Sequence, residues 1–119
     1  MKPSAPIRRS HRRFAPGIIV VLVTCPGVGV GRRLSTELVK RRLAACVNLI
    51  PRIASCYRWQ GKIERSAEAL LVIKTTARRF AALQRALLAL HPYDCPEIIA
   101  LPVAAGHAPY LQWVQQSVS

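Results

Sequence analysis

Two extended stretches of about 14 residues each, 45–59 and 62–76, meet at Gln60-Gly61, and nothing else in the chain restricts its fold as strongly. Ile53, Ser55, Tyr57 and Trp59 alternate with Ala54, Cys56 and Arg58, which is the two-residue period of a strand. Gly61 can accept positive φ in a two-residue turn, so the stretches pair as an antiparallel hairpin. A usual strand has roughly 5 or 6 residues, so much of this hairpin projects beyond what one small domain can cover. Pro51 denies one ladder donor and predicts a bulge or an edge position.

The rest of the pattern supplies two layers around that hairpin. Residues 18–25 form a continuous, largely β-branched run stopped by Pro26-Gly27, which predicts a central strand buried on both faces. Val30, Leu34 and Leu38 then follow helical spacing, although Gly29 and Gly31 blur the helix start, and Arg32, Arg33, Lys40, Arg41 and Arg42 form its solvated face. Phe80, Leu83, Leu87 and Leu90 define a second amphipathic helix with Arg78, Arg79 and Arg85 toward water, ended by Pro92. Residues 97–103 read as a fourth strand, and Pro109 opens a short closing helix over 110–118. The order β-α-β-β-α-β plus a terminal helix predicts an α+β, ferredoxin-like split β-α-β sandwich.

A chain of 119 residues, 51% of them hydrophobic, is enough for one domain, expected over 18–119. Its 18 basic and 5 acidic side chains give +13, which attracts polyanions, anionic lipid or acidic metabolites. Residues 1–17 hold Lys2, Arg8, Arg9, Arg12 and Arg13 with no acid, together with Pro and Ser, and read as a disordered basic tail. Non-specific anionic partners are expected there, with salt-sensitive binding. The competing class is a basic nucleic-acid-binding module, because RNA-recognition modules share the split β-α-β plan. Residues 18–25 and 69–76 carry none of the aromatic side chains on which such modules stack bases. The apolar run 18–23 is shorter than the roughly 7 to 15 residues of a signal core, and nothing approaches a membrane span, so cytoplasmic location is the expectation.

The segments Tyr57-Arg58-Trp59-Gln60-Gly61-Lys62-Ile63 and His91-Pro92-Tyr93-Asp94-Cys95-Pro96-Glu97-Ile98 resemble the divalent-cation-tolerance family called CutA. Leu43-Ala44-Ala45-Cys46-Val47-Asn48, Leu71-Val72-Ile73-Lys74-Thr75-Thr76 and Tyr110-Leu111-Gln112-Trp113 extend the likeness from about Ile18 to Val118. The resemblance implies a cyclic homotrimer whose hairpins extend sheets across subunit boundaries, and closed symmetry would use up the exposed edge. Tyr57, Trp59, Tyr110 and Trp113 are then interface or core aromatics. Arg58, Lys62 and Lys74 serve either as turn and ion-pair charges or, in an alternative small-molecule sensor, as contacts in inter-subunit ligand clefts.

Copper ligands in bacterial relatives are a Cys in the first strand and two adjacent His before the Pro-Tyr motif. In this chain the corresponding positions hold Val23 and Leu90, leaving His91 in register. Antiparallel pairing of the first and fourth strands would nevertheless bring Cys25, His91, Cys95 and Glu97 to one rim. Imidazole and thiolate suit copper or zinc, so the candidate metal ligands are His91, Cys25 and, more weakly, Cys95. The competing reading is a capping histidine beside two quiet thiols. No Cys-x-x-Cys pair occurs among Cys25, Cys46, Cys56 and Cys95, and Cys46 reads as a small buried apolar residue. Cys25 with His91 is also the sole near pair of nucleophile and base, with nothing to orient the imidazole, so a non-enzymatic role is expected.

Overall fold

In the computed structural model, which describes residues 17–119, one antiparallel sheet carries all four strands. They are β1 (Ile18–Cys25), β2 (Cys46–Trp59), β3 (Lys62–Thr76) and β4 (Ile98–Pro102), in the spatial order β2-β3-β1-β4. Three helices accompany them: α1 (Val28–Lys40), α2 (Phe80–Leu90), preceded by a 3₁₀ turn at Ala77–Arg79, and α3 (Ala108–Ser117). The expected order is therefore realised. Apart from Gly17, the expected tail lies outside the described residues.

The hairpin turns on Gln60 and Gly61, with φ of 51° and 79°, so both central residues adopt the left-handed conformation of a tight hairpin turn. The β2–β3 register slips between Ile50 and Ile53, where Pro51 removes a donor and forces the anticipated bulge. β1 ends opposite Ala69, so Lys62 to Glu68 continue past it and the hairpin stands clear of the domain. The long axis consequently reaches 55 Å, and the radius of gyration is 16.7 Å where a compact chain of this size has about 13 Å.

Leu34 and Leu38 of α1 and Leu83 and Leu87 of α2 are buried with Val21, Val23, Leu71 and Ile73 in one core. Each such side chain contributes about 1.5–3 kcal/mol by leaving water. Thr75, fully enclosed, donates its hydroxyl to the Leu43 carbonyl at 2.7 Å and ties the chain after α1 to the sheet. Arg42 takes φ 58° beyond the end of α1, and Leu43 N–H returns to the Leu38 carbonyl, so Arg42 terminates the helix instead of extending its basic face.

Burial of β1 on both faces is not what a single chain achieves. Ile19, Val21, Val23 and Cys25 are buried on the helix side, whereas Val20, Leu22 and Thr24 on the other side are half-exposed. Register places Leu22 between Val72 and Ile99, and Val20 between Lys74 and Leu101, so this open face is largely apolar around Leu22, with Lys74 toward one end. Ile99 and Leu101 retain 48% and 46% of their exposure. α3 covers only the end near Ile18, where Val114 and Val118 pack with Ala45. Arg79, expected to face water, instead donates from Nε to the Val118 carbonyl at 2.6 Å and fastens that cover.

Candidate functional site

The pairing of Val23 with Ile98 carries the end of β1 to the segment that joins α2 to β4, as the sequence plan required. His91 caps α2 in an extended conformation, which the following proline favours. Its ring is buried. Nε2 lies 2.8 Å from the Thr24 carbonyl, and Nδ1 accepts the Tyr93 N–H at 3.1 Å. A carbonyl only accepts and a backbone N–H only donates, so this geometry selects the tautomer with its proton on Nε2.

That arrangement does not fit a metal centre. Neither ring nitrogen of His91 offers a free lone pair, because one carries the proton given to Thr24 and the other receives Tyr93. Cys25 points into the helix-side core, where its thiol donates weakly to the Gly27 carbonyl. Burial pushes the Cys25 thiol up from its ordinary value, with the Gly27 contact opposing and Glu68 reinforcing the shift, so the ligating thiolate is disfavoured. Cys95 is exposed in the loop. Among the described residues, no three His, Cys, Asp or Glu side chains converge as a ligand set. Cys25 with His91 is equally unsuited to nucleophilic chemistry, since the base is already committed.

Two consequences of Cys25 burial can be measured. Iodoacetamide is expected to modify Cys95 rapidly in the folded protein and Cys25 only after unfolding, read by peptide mass spectrometry; equal rates would contradict the packing. The folded thiol binds its proton more tightly than the unfolded one. Its contribution to stability is therefore intact below the ordinary thiol pKa and is lost as pH rises through the raised one.

What the fold does build is a cleft of about 630 Å³ between the hairpin stem and the 92–97 loop. Tyr57 and Trp59 line it from β2, Glu68 from β3, and Tyr93 and Cys95 from the loop. Tyr93 donates its hydroxyl to Glu68 Oε2 at 2.8 Å and stacks at a tilt on His91, with ring centres 4.8 Å apart. Burial, and then the Glu68 carboxylate, hold the Tyr93 hydroxyl well above its ordinary pKa, so it remains a donor. The Glu68–Tyr93 pair escaped sequence reasoning; its one trace is an acid inside the apolar stretch 67–73.

The remaining candidates separate into distinct places. Arg58 and Lys62 are exposed near the hairpin tip. Lys74 lies on the open sheet face and donates to Asn48 Oδ1. Tyr110 and Trp113 lie on α3, partly exposed, with ring centres 5.6 Å apart. Burial, followed by contact with Cys46, raises the Tyr110 hydroxyl pKa. These two aromatics therefore border the Lys74 end of the sheet and take no part in the cleft. Where an RNA-recognition module would present stacking aromatics, the open face presents Val20, Leu22 and Val72.

No helix among the described residues is long and apolar enough to cross a membrane. Protein CutA of Mus musculus is 46% identical over 115 residues, covering 96% of this chain and 65% of that protein. The chain thus spans just under two-thirds of that mammalian relative. The divalent-cation tolerance protein CutA of Thermus thermophilus is 48% identical over 98 residues, covering 82% of this chain and 95% of that protein. The crystal structure of CutA1 from Oryza sativa superposes with a TM-score of 0.85 at 44% identity, over 87% of this chain and 95% of that one. The model of the family described as CutA1 divalent ion tolerance protein matches residues 19–117, which take in the sheet, all three helices and the cleft. By that match and those identities, the chain belongs to the CutA1 divalent ion tolerance protein family.

Proposed function

We propose that this chain acts in tolerance of divalent metal ions as a non-enzymatic, cytoplasmic homotrimer. Membership of a family described by divalent ion tolerance supports the biological role. The observation that carries the assembly is the apolar sheet face that α1 and α2 leave uncovered, with Ile50, Ile99 and Leu101 exposed beside a projecting hairpin. A surface of that kind calls for a protein partner, and copies of the same chain in closed symmetry cover it without leaving a new edge. The committed hydrogen bonds of His91 and the buried Cys25 thiol support a role without catalysis.

Light scattering at micromolar concentration is the direct test, and three times the 13.2 kDa chain mass is expected. A single-subunit mass would remove the assembly. Copper enters this reading as an ion to which the cell responds, without a centre at His91. Titration of Cu(II) into the wild type and a His91→Asn, Cys25→Ser double variant is expected to give the same stoichiometry and affinity. Loss of one tight Cu(II) equivalent per chain in a still-folded variant would reinstate that centre.

A further inference from the structure

Of the chain's 5 acidic side chains only Glu37 lies on the helices that back the sheet, and Arg41 holds it in the single ion pair among the described residues. The cations gather on that layer. Arg33 and Lys40, a helical repeat apart, share one exposed stripe of α1, while Arg78 in the 3₁₀ turn and Arg85 in α2 are exposed beside it. Arg42 adds an exposed charge where α1 ends. The two helices pack on each other, and the bonds of Thr75 to Leu43 and of Ala77 to Gly17 bring the end of α1 and the start of α2 to one end of the domain.

Helix stability does not account for this placement. Positive charge favours a helix C-terminus, which suits Lys40, but Arg78 and Arg79 stand at the start of α2, where the dipole opposes them and the first turn holds no acid. Arg79 gains the Val118 carbonyl, whereas Arg78 and Arg85 take part in no ion pair among the described residues. Such a surface fits an anionic partner, and its other side chains select which kind. Planar guanidinium groups match phosphate oxygens in pairs, and four of the five cations Arg33, Lys40, Arg42, Arg78 and Arg85 are arginines. Docking into a bilayer needs an apolar helix face, but Leu34, Leu38, Leu83 and Leu87 are buried in the core, and Val39 and Leu88 stand out singly. Neither helix stands clear of the sheet to enter a groove, so base edges are out of reach. We propose that this helix layer binds the phosphate backbone of duplex nucleic acid, without reading its sequence, through Arg33, Lys40, Arg42, Arg78 and Arg85. The layer lies opposite the open sheet face, so covering that face by other subunits leaves it exposed. The proposal does not depend on the tolerance role.

The test is fluorescence anisotropy of the full chain with a labelled DNA duplex of about 20 base pairs over a series of salt concentrations. Saturable binding that weakens steeply with salt is expected, with equal affinity for a second duplex of unrelated sequence. An Arg33→Gln, Lys40→Gln, Arg78→Gln, Arg85→Gln variant is expected to bind about tenfold more weakly or worse, with the slope of log affinity against log salt shallower by about three. All four positions are exposed, so its circular dichroism is expected to match the wild type. A Lys2→Gln, Arg8→Gln, Arg9→Gln, Arg12→Gln variant removes the same charge from residues 1–17 and is expected to lose less affinity. Absence of salt-sensitive binding, a loss in the second variant as large as in the first, or a strong preference between the two duplexes would overturn the proposal. So would tighter binding to phosphatidylserine vesicles that disappears in the first variant, since the surface would then serve a membrane.

Discussion

Replacing Leu22 by glutamate is expected to reduce the proposed trimer to single subunits while leaving each subunit folded. Leu22 sits in the middle of the open face, flanked across the sheet by Val72 and Ile99. In one chain its side chain is half-exposed, so an isolated subunit can keep a carboxylate there in contact with water. In the trimer that contact is lost three times over, and each uncompensated buried ion costs several kcal/mol even after relaxation. Light scattering reads the mass and circular dichroism reads the fold, so loss of assembly and loss of structure are separated. Val39→Glu is the control, because Val39 is 45% exposed on α1, away from the sheet, and the same change there is expected to leave the mass unaltered. Retention of a trimer by Leu22→Glu would move the interface off this face and onto the hairpin alone.

The parts of the fold that could be read from sequence are those set by neighbours along the chain. Alternation in 53–59, the Gln60-Gly61 turn and the donor missing at Pro51 are local signals, and the hairpin and its bulge follow from them. The apolar content of β1 was equally visible, but its meaning was not. A strand with apolar residues on both faces looks the same whether its second face is covered by its own chain or by another subunit, and α3 reaches only the Ile18 end.

The site was less legible because its decisive contacts join distant segments. His91 was recognisable as a candidate ligand by type and spacing. Its lack of a free nitrogen depends on a carbonyl 67 residues away and on the backbone turn at Tyr93. Cys25 stands at the strand end that its position in the sequence implies, yet the decisive fact is which side of β1 it faces. The cleft draws on β2, β3 and the loop before β4, so no short motif contains it. Folding alone brings Glu68 beside Asp94 and Glu97.

Gly31 is a further case, and it predicts the largest loss of folding stability from a single surface-like letter in the sequence. Beside Gly29 it reads as a residue that weakens the start of a helix. In the fold it is buried where the first turn of α1 approaches the sheet. A Cβ built there would lie 2.7 Å from Leu49 Cδ1 and 3.4 Å from both Cys25 Sγ and Leu71 Cδ2. Alanine would gain about 0.8–1 kcal/mol of helix propensity, and the Leu49 methyl can swing aside, so Gly31→Ala is expected to change stability little. Leucine adds three further carbons to an enclosed space and must push α1 off β3 or drive core side chains off their rotamers. Overpacking of this kind costs about 1–3 kcal/mol and sometimes more, and Gly31→Leu is expected at or above the upper end. At Gly29, two residues earlier, a new Cβ meets nothing within 4 Å. Gly29→Leu is therefore expected to be neutral or slightly stabilising through propensity alone. Urea unfolding of both variants at one fixed protein concentration separates these outcomes, because assembly makes apparent stability concentration-dependent. Similar midpoints for the two leucine variants would show that α1 has room to move, and that the close approach at Gly31 does not fix the helix on the sheet.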